Sequence, residues 1–586
     1  MTGRSVRGRD LLALLAILLV TLLPRVVSLG ADPPLDFQTG FLADEGAWAH
    51  NARNYVLFGR WVMDQHNPGL IATPLYSGTL VLIYRAIGVG LLQTRLLAAV
   101  SGALACVVLF LALRAAGRGT GRSLVPPLIL GFSYFMLTNN RVAFTESYQL
   151  LFIAMMFAGL VAARRRTGWA ALAGLAFLCA MLVKPSAIVM GLVAVVFWWL
   201  ERGRTAADGH LAAREFRIFG LTAIVAVLAA AAVLAVTVDW APIAQQLSIS
   251  LRNVFSGGAH PEDIRPSLAG LGVIGFTLNG FVRQCLLLLI GTLWYAAVRL
   301  SRSAAAPADT AERLCWVWLS AALCFLSTQQ YQPDRRFLLL LPPLAVLFSG
   351  LLSGGFVIPA RERLSGWRAA LIGALAGALA GLLLQGEISR AVAVRLDLTT
   401  TTAASLIWNA GIGCGALVGW LAARLLPARP FALPAWLPLA GFLLTDPLAS
   451  VRYLRHPHFS VPEIQQAFGR ATAGWPPEDR VIVGTVADAL VMPTDFFAFT
   501  IRRRASTGAF LNLDGWTRFR PAVAVVTTPP GKDPLKGDVD QRAILAEVRA
   551  RGYRRLLELP TRYDRAGRPT WVATFYARTD LVESER

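Results

Sequence analysis

Long apolar runs recur along most of this chain, broken by short polar joints. A helix needs about 20 predominantly apolar residues to cross a bilayer. Runs of that kind are predicted at about 10–29, 94–113, 123–138, 147–163, 168–183, 185–200, 217–236, 271–298, 313–328, 336–355, 367–385, 402–424 and 430–447, roughly thirteen spans. Residues 31–93 interrupt the series as the first outer loop, of which 31–70 are polar and rich in Asp, Asn, Pro and Gly. From about residue 450 the pattern changes. Val481–Gly484, Pro521–Val526, Tyr553–Leu559 and Trp571–Tyr576 read as strands, and Gln541–Arg551 as a helix. Strands interleaved with a helix predict a small α/β domain over 451–586, after a membrane domain over 1–450. The expected fold is therefore an α-helical polytopic membrane protein with a small C-terminal α/β domain.

Composition agrees with a membrane chain. Of 586 residues, 55% are apolar, and mean hydropathy is +0.54. The formal charge of +21 comes almost wholly from arginine, because the only lysines are Lys184, Lys532 and Lys536. The arginines are scattered through short joints rather than gathered on one face. That distribution is the positive-inside pattern and argues against nucleic acid. Cys106, Cys179, Cys285, Cys315, Cys324 and Cys414 all lie in apolar segments without metal spacing and read as small core hydrophobes.

The arginines also predict orientation. Arg4, Arg7 and Arg9 place the N-terminus in the cytoplasm, ahead of an uncleaved signal anchor. The clusters Arg114/Arg118/Arg122, Arg164–Arg166, Arg202/Arg204 and Arg299/Arg302 share that side only if one apolar stretch does not cross. Residues 73–90, which open Thr73-Pro74 and carry Arg85 and Gly88, suit an interfacial helix. The odd span count then puts the C-terminal domain on the extracytoplasmic side. Polar variety concentrates there too, so chemistry is sought on that face.

Several groups on that face are candidates. Asp44-Glu45 opens a short amphipathic helix in the first loop. The pair is either an acidic helix start or a general base. Arg335-Arg336 precedes an apolar run with paired prolines. It either snorkels to headgroups or grips a phosphate through a planar fork. Lys184, before Pro185 at a helix junction, is a C-terminal cation or a second phosphate contact. Arg141 and Glu146 flank the entry to the next span and alone read as a loop pair. His50, His66 and His260 lack metal spacing. No metal or other cofactor is expected.

The order of these motifs resembles something known. An acidic pair in the first outer loop is followed by an interfacial segment (Asn67-Pro68-Gly69 to Leu75-Tyr76). Then come Arg141 to Glu146, Leu182-Val183-Lys184-Pro185, and Arg-Arg-Phe-Leu-Leu-Leu-Leu-Pro-Pro-Leu at 335–344. This order resembles the GT-C glycosyltransferases that use lipid-phosphate sugars, nearest to protein O-mannosyltransferases and the bacterial aminoarabinose transferase of lipid A. The bacterial pattern usually carries a Lys or Glu before paired prolines, where this chain has Asn67-Pro68-Gly69 and Thr73-Pro74. The resemblance implies a hexosyl- or pentosyltransferase of the cell (inner) membrane, acting on a polyprenyl-phosphate sugar. The acceptor would be a glycan, lipid or protein on the extracytoplasmic face. Asp44 would be the base, with Glu45 assisting. Lys184, Arg335 and Arg336 would hold the donor phosphate, and Arg141, Glu146, His50, Asn51 and Tyr331 would line the pocket. The rival reading is a transporter or flippase for a lipid-linked glycan, whose charges belong nearer the bilayer midplane.

Overall fold

The structure, a computed structural model, describes residues 8–34, 41–64, 73–203, 206–237, 268–301, 308–327, 334–351, 357–358, 366–396, 400–425, 431–432, 436–503, 510–512, 514–529, 539–563 and 568–583. Two parts follow one another along the chain. The first is helical: α1 (Gly8–Val26), α2 (Phe41–Phe58), α3 (Pro74–Ile87), α4 (Leu91–Ala115), α5 (Thr120–Phe132), α6 (Tyr134–Asn140), α7 (Thr145–Ala163), α8 (Trp169–Val183), α9 (Ile188–Arg202), α10 (Ala206–Thr237), α11 (Leu268–Ser301), α12 (Thr310–Ser327), α13 (Leu341–Leu351), α14 (Gly366–Leu396), α15 (Thr400–Leu425) and α16 (Trp436–Arg455). Among the described residues, Leu91–Ala115, Thr145–Ala163, Pro185–Arg202 and Asp208–Val233 are long and apolar enough to cross a membrane. Shorter apolar helices lie at Trp169–Val183, Gln284–Arg299, Trp367–Gly381 and Asn409–Leu421.

The segment expected at the interface forms its own helix. Pro74 starts α3 where a missing N–H costs nothing, and Gly88, at φ +86°, ends it. Tyr76, Leu80, Val81 and Tyr84 make one buried stripe against Ala49 and Ala52 of α2. At 14 residues the helix is about 21 Å long, short of a hydrocarbon core of about 30 Å.

The bundle has two chemically different ends. At one, the expected arginine clusters meet carboxylates. Arg114 pairs with Asp10 at 3.0 Å, and Arg118 with Asp309 at 2.6 Å. Arg164 reaches Asp208 at 2.8 Å and Glu201 and Glu215 at 3.4 Å, and Arg313 reaches Glu201 at 2.7 Å. These contacts join the N-terminal ends of α1, α10 and α12 to the C-terminal ends of α4, α7 and α9. The opposite ends of α1, α4 and α7 carry α2, α3 and the C-terminal domain. Farther along, α14 and α15 pack backbone to backbone. A Cβ at Gly373 or Gly377 would meet the carbonyl oxygen of Gly415 or Gly411, the close approach that small residues permit between membrane helices.

The C-terminal part begins with α17 (Ser460–Ala471). Its sheet contains β1 (Val481–Gly484), β2 (Phe497–Phe499), β3 (Val523–Thr528), β4 (Arg554–Tyr563) and β5 (Pro569–Ala577), with α18 (Ala487–Leu490) after β1 and α19 (Val539–Ala550) after β3. The strand order is β2-β1-β3-β5-β4, with β1 parallel to both β2 and β3 and the remaining pairs antiparallel. Alternation along the strands builds two cores. Ile482, Val523, Val525 and Phe575 face α17, while Val483, Ala524, Val526 and Phe499 face α19. The expected strands and helix all form here, with the short strand β2 added.

Candidate active site

Asp44 lies in the first turn of α2. Its carboxylate is 26% exposed and pairs with the Arg335 guanidinium at 2.7 Å. Arg335 is nearly buried and also reaches Glu146 Oε1 at 3.1 Å. The same oxygen accepts from Lys184 Nζ at 2.6 Å. Four groups from four segments thus form one row of alternating charge: Asp44, Arg335, Glu146, Lys184. Aromatic faces back both cations. Phe144 lies 5.0 Å from the Arg335 guanidinium carbon, and Trp48 lies 5.2 Å from Lys184 Nζ.

Local sequence explains each placement. Lys184 precedes Pro185, whose ring pushes it out of helical geometry. Lys184 is accordingly extended (φ −162°, ψ 128°) and stops α8 at Val183. Its carbonyl accepts from Gln149 Nε2 at 2.7 Å, fixing it against α7. Burial, with Arg335 close by, holds the Lys184 ammonium below its ordinary value despite the opposing pull of Glu146. Arg335 sits in a 3₁₀ turn, Asp334–Leu340, anchored by buried Phe337, Leu338 and Leu340. Pro342 and Pro343 fall in the first turn of α13, where proline is tolerated. Glu146 is in the first turn of α7. Beside the row, Glu146, Gln149, Ser186, Arg335 and Arg336 line a cleft whose apolar wall includes Ile153, Phe325 and Leu339.

The remaining expected residues fall elsewhere. Glu45 is fully buried and turned away from Asp44. Arg95 grips it with two bonds, Nε to Oε1 at 2.7 Å and Nη2 to Oε2 at 2.8 Å, and the Ala143 N–H adds a third at 2.8 Å. Arg95 also donates to the Leu29 and Ala31 carbonyls, so this cluster ties α2, α4, the end of α1 and the loop before α7. Arg141 is not part of the charge row. Its guanidinium donates to the carbonyls of Pro24, Arg25, Val27 and Ser28 and lies over Tyr453. It therefore complements the C-terminal end of α1, where the helix leaves carbonyls without internal partners. His50 and Asn51 are buried on α2. His50 Nε2 lies 3.3 Å from Asp64 and 3.1 Å from Asn54. Burial pulls the His50 imidazole down, but Asp64, with Asp488 adding, raises it above its ordinary value. Tyr331, His66 and His260 lie outside the described residues.

Arg95, Trp48 and Phe144 are the contributors that the sequence reading passed over. For Arg95 a signal existed: a charge inside an apolar helix marks a partner or a function.

No protein-family profile matches the chain, and no curated protein does either. Solved structures do. ArnT from Cupriavidus metallidurans bound to undecaprenyl phosphate aligns over 97% of this chain and 98% of that chain, at TM-score 0.51 and 16% identity. The apo state of ArnT from the same organism aligns over 97% and 98%, at TM-score 0.54 and 18% identity. The fold is therefore shared along nearly the whole length, C-terminal domain included, with the architecture that the motif order resembles.

Proposed function

We propose that this protein transfers a sugar from a polyprenyl-phosphate donor to an acceptor on the extracytoplasmic face of the membrane, with inversion. The proposal includes roughly thirteen spans, a cytoplasmic N-terminus and an extracytoplasmic C-terminal domain. The observation that carries it is the row Asp44–Arg335–Glu146–Lys184. A partly exposed carboxylate stands there next to two cations that suit a phosphate, at the bundle end opposite the arginine clusters. The fold shared with ArnT, solved with undecaprenyl phosphate bound, supports the same donor class.

The chemistry follows from charge. Asp44 accepts the proton of the acceptor hydroxyl or amine as that atom attacks the anomeric carbon. The bond between that carbon and the phosphate oxygen breaks, and its electron pair leaves with polyprenyl phosphate. The phosphate gains one negative charge in this step. Lys184, Arg335 and Arg336 stabilise that charge where it develops. Donor phosphate competes for Arg335 with Asp44, so donor binding frees the base it will need. The step as written requires no metal.

Sugar transfer from radiolabelled polyprenyl-phosphate sugars tests the reading, in membranes holding wild type or Asp44→Asn. Transfer by wild type and a loss of at least about 100-fold in the variant are expected for removal of a general base. Movement of intact glycolipid across the bilayer by both proteins, without cleavage, would replace this reading with transport.

A further inference from the structure

The four groups of the charge row stand on the helical part of the chain, yet the C-terminal domain grips the helix that carries Asp44. Arg53, about two and a half turns along α2 from Asp44, is fully buried. Its guanidinium donates to four backbone carbonyls of one C-terminal segment: Met492 at 3.0 Å, Val491 at 3.3 Å, Thr494 at 2.7 Å and Phe496 at 2.7 Å. That segment joins α18 to β2. Closer to the base, Gly46 of α2 lies against α18. A Cβ there would overlap the Asp488 carboxylate and stand 2.7 Å from the Ala489 nitrogen. At the end of the helix, Phe58 packs edge-on to Phe497 of β2 at 6.1 Å, and Phe58 and Met63 join the core on the α19 face of the sheet. Three successive stations along α2 are therefore seated on the C-terminal domain.

We infer that the C-terminal domain is the positioning element for Asp44, and that Arg53 is the positioning residue through which it acts. This rests on Asp44 being the base. The physical argument concerns what fixes a base in place. Asp44 sits in the first turn of a helix of 18 residues, outside the apolar spans. One side of α2 is held by the Glu45–Arg95 pair and by α3. The other side is held by the C-terminal domain, through Arg53 on the segment after α18, Gly46 against α18, and Phe58 against Phe497. A guanidinium whose donors spread over four carbonyls fixes both the rotation and the height of the helix. Misplacing a catalytic group by about 1 Å costs on the order of 100-fold in rate. Lys184, Arg335 and Arg336 stand on other elements, so this seating acts first on proton removal and reaches the donor-holding cations only through the Trp48–Lys184 and Asp44–Arg335 contacts.

The test uses the full-length protein and Arg53→Met, which keeps a long side chain but removes the bonds to the four carbonyls. Three quantities are measured: turnover with a polyprenyl-phosphate sugar, affinity for undecaprenyl phosphate, and hydrogen exchange of the α2 amides. Turnover is expected to fall about 30-fold or more, with affinity within about threefold of wild type and faster exchange in α2 than in α7. Arg53→Lys should recover part of the turnover. Arg53→Met combined with Asp44→Asn should be no slower than Asp44→Asn alone, because displacing an absent base costs nothing more. Losses that multiply, or affinity that falls in step with turnover, would overturn the inference and leave Arg53 a general stabiliser. If Arg53→Met fails to fold, Gly46→Ala, which pushes α18 away while keeping every charge, takes its place with the same expectations. If wild type transfers no sugar, the function itself is refuted. Unchanged α2 exchange in Arg53→Met refutes the seating separately.

Discussion

Replacing Arg335 by Met gives the sharpest quantitative check on the charge row. Arg335 contacts Asp44 at 2.7 Å and Glu146 at 3.1 Å and is nearly buried. With Lys184, the row holds two cations and two carboxylates, a net charge of zero. Without Arg335 the net charge is −1, at the place where a departing phosphate gains charge. One unit charge at about 4 Å with an effective dielectric constant near 20 corresponds to about 4 kcal/mol. At 1.36 kcal/mol per decade that is about 1,000-fold in kcat/KM. Arg335→Lys restores the charge but not the planar fork, and should lose only about tenfold. The assay is sugar transfer over a range of donor concentrations, on protein whose thermal unfolding shows it folded. That control matters because removing one partner of a buried ion pair costs about 3–5 kcal/mol of stability. Arg335→Met retaining kcat/KM within threefold of wild type would refute the assignment of this residue to the leaving phosphate.

Further outcomes follow from other parts of the structure. Glu45→Leu should destabilise by about 3–5 kcal/mol by leaving the Arg95 guanidinium buried and unpaired, and Glu45→Leu with Arg95→Met should cost less than either change alone; denaturant unfolding measures both. His50 is held above its ordinary value by Asp64, facing Asp488 and Arg53. Its contribution to stability is therefore complete below about pH 6.5 and is lost as pH rises through the raised value; thermal unfolding across pH 6–9 should lose that slope in His50→Gln. Gly377→Leu should separate α14 from α15 and reduce folded yield in membranes, since the Gly411 carbonyl occupies the space, whereas Gly413→Leu, with open space around it, should be tolerated.

Much of the site was legible from residue types alone, and the departures have clear causes. Asp44, Lys184, Arg335 and Glu146 stand far apart in the chain, yet each was marked by a charge next to an apolar run or a proline, and the fold brings all four together. Asp44 and Glu45 look like a pair in sequence. On a helix, neighbours point about 100° apart, so one reaches Arg335 and the other is buried against Arg95. Arg141 invited pairing with Glu146, but its partners are backbone carbonyls, which have no signature in residue identity. The seating of α2 was hidden for the same reason, since all four acceptors of Arg53 are main-chain oxygens. In the C-terminal domain the alternating strands were readable, while β2, only three residues long, is too short to show a period.

The electrical neutrality of the row has a consequence for competition. Free phosphate or pyrophosphate entering the site would have to break two ion pairs, Asp44–Arg335 and Lys184–Glu146, with nothing beyond its own charge to offset that cost. A phosphate attached to a long isoprenoid brings apolar surface as well, worth about 0.8 kcal/mol per buried methylene. The salt bridges thus act as a discriminating threshold, which anchored anions cross and soluble ones do not. Millimolar pyrophosphate should accordingly leave transfer unaffected while polyprenyl phosphate inhibits it, and equal inhibition by the two would show that no such threshold exists.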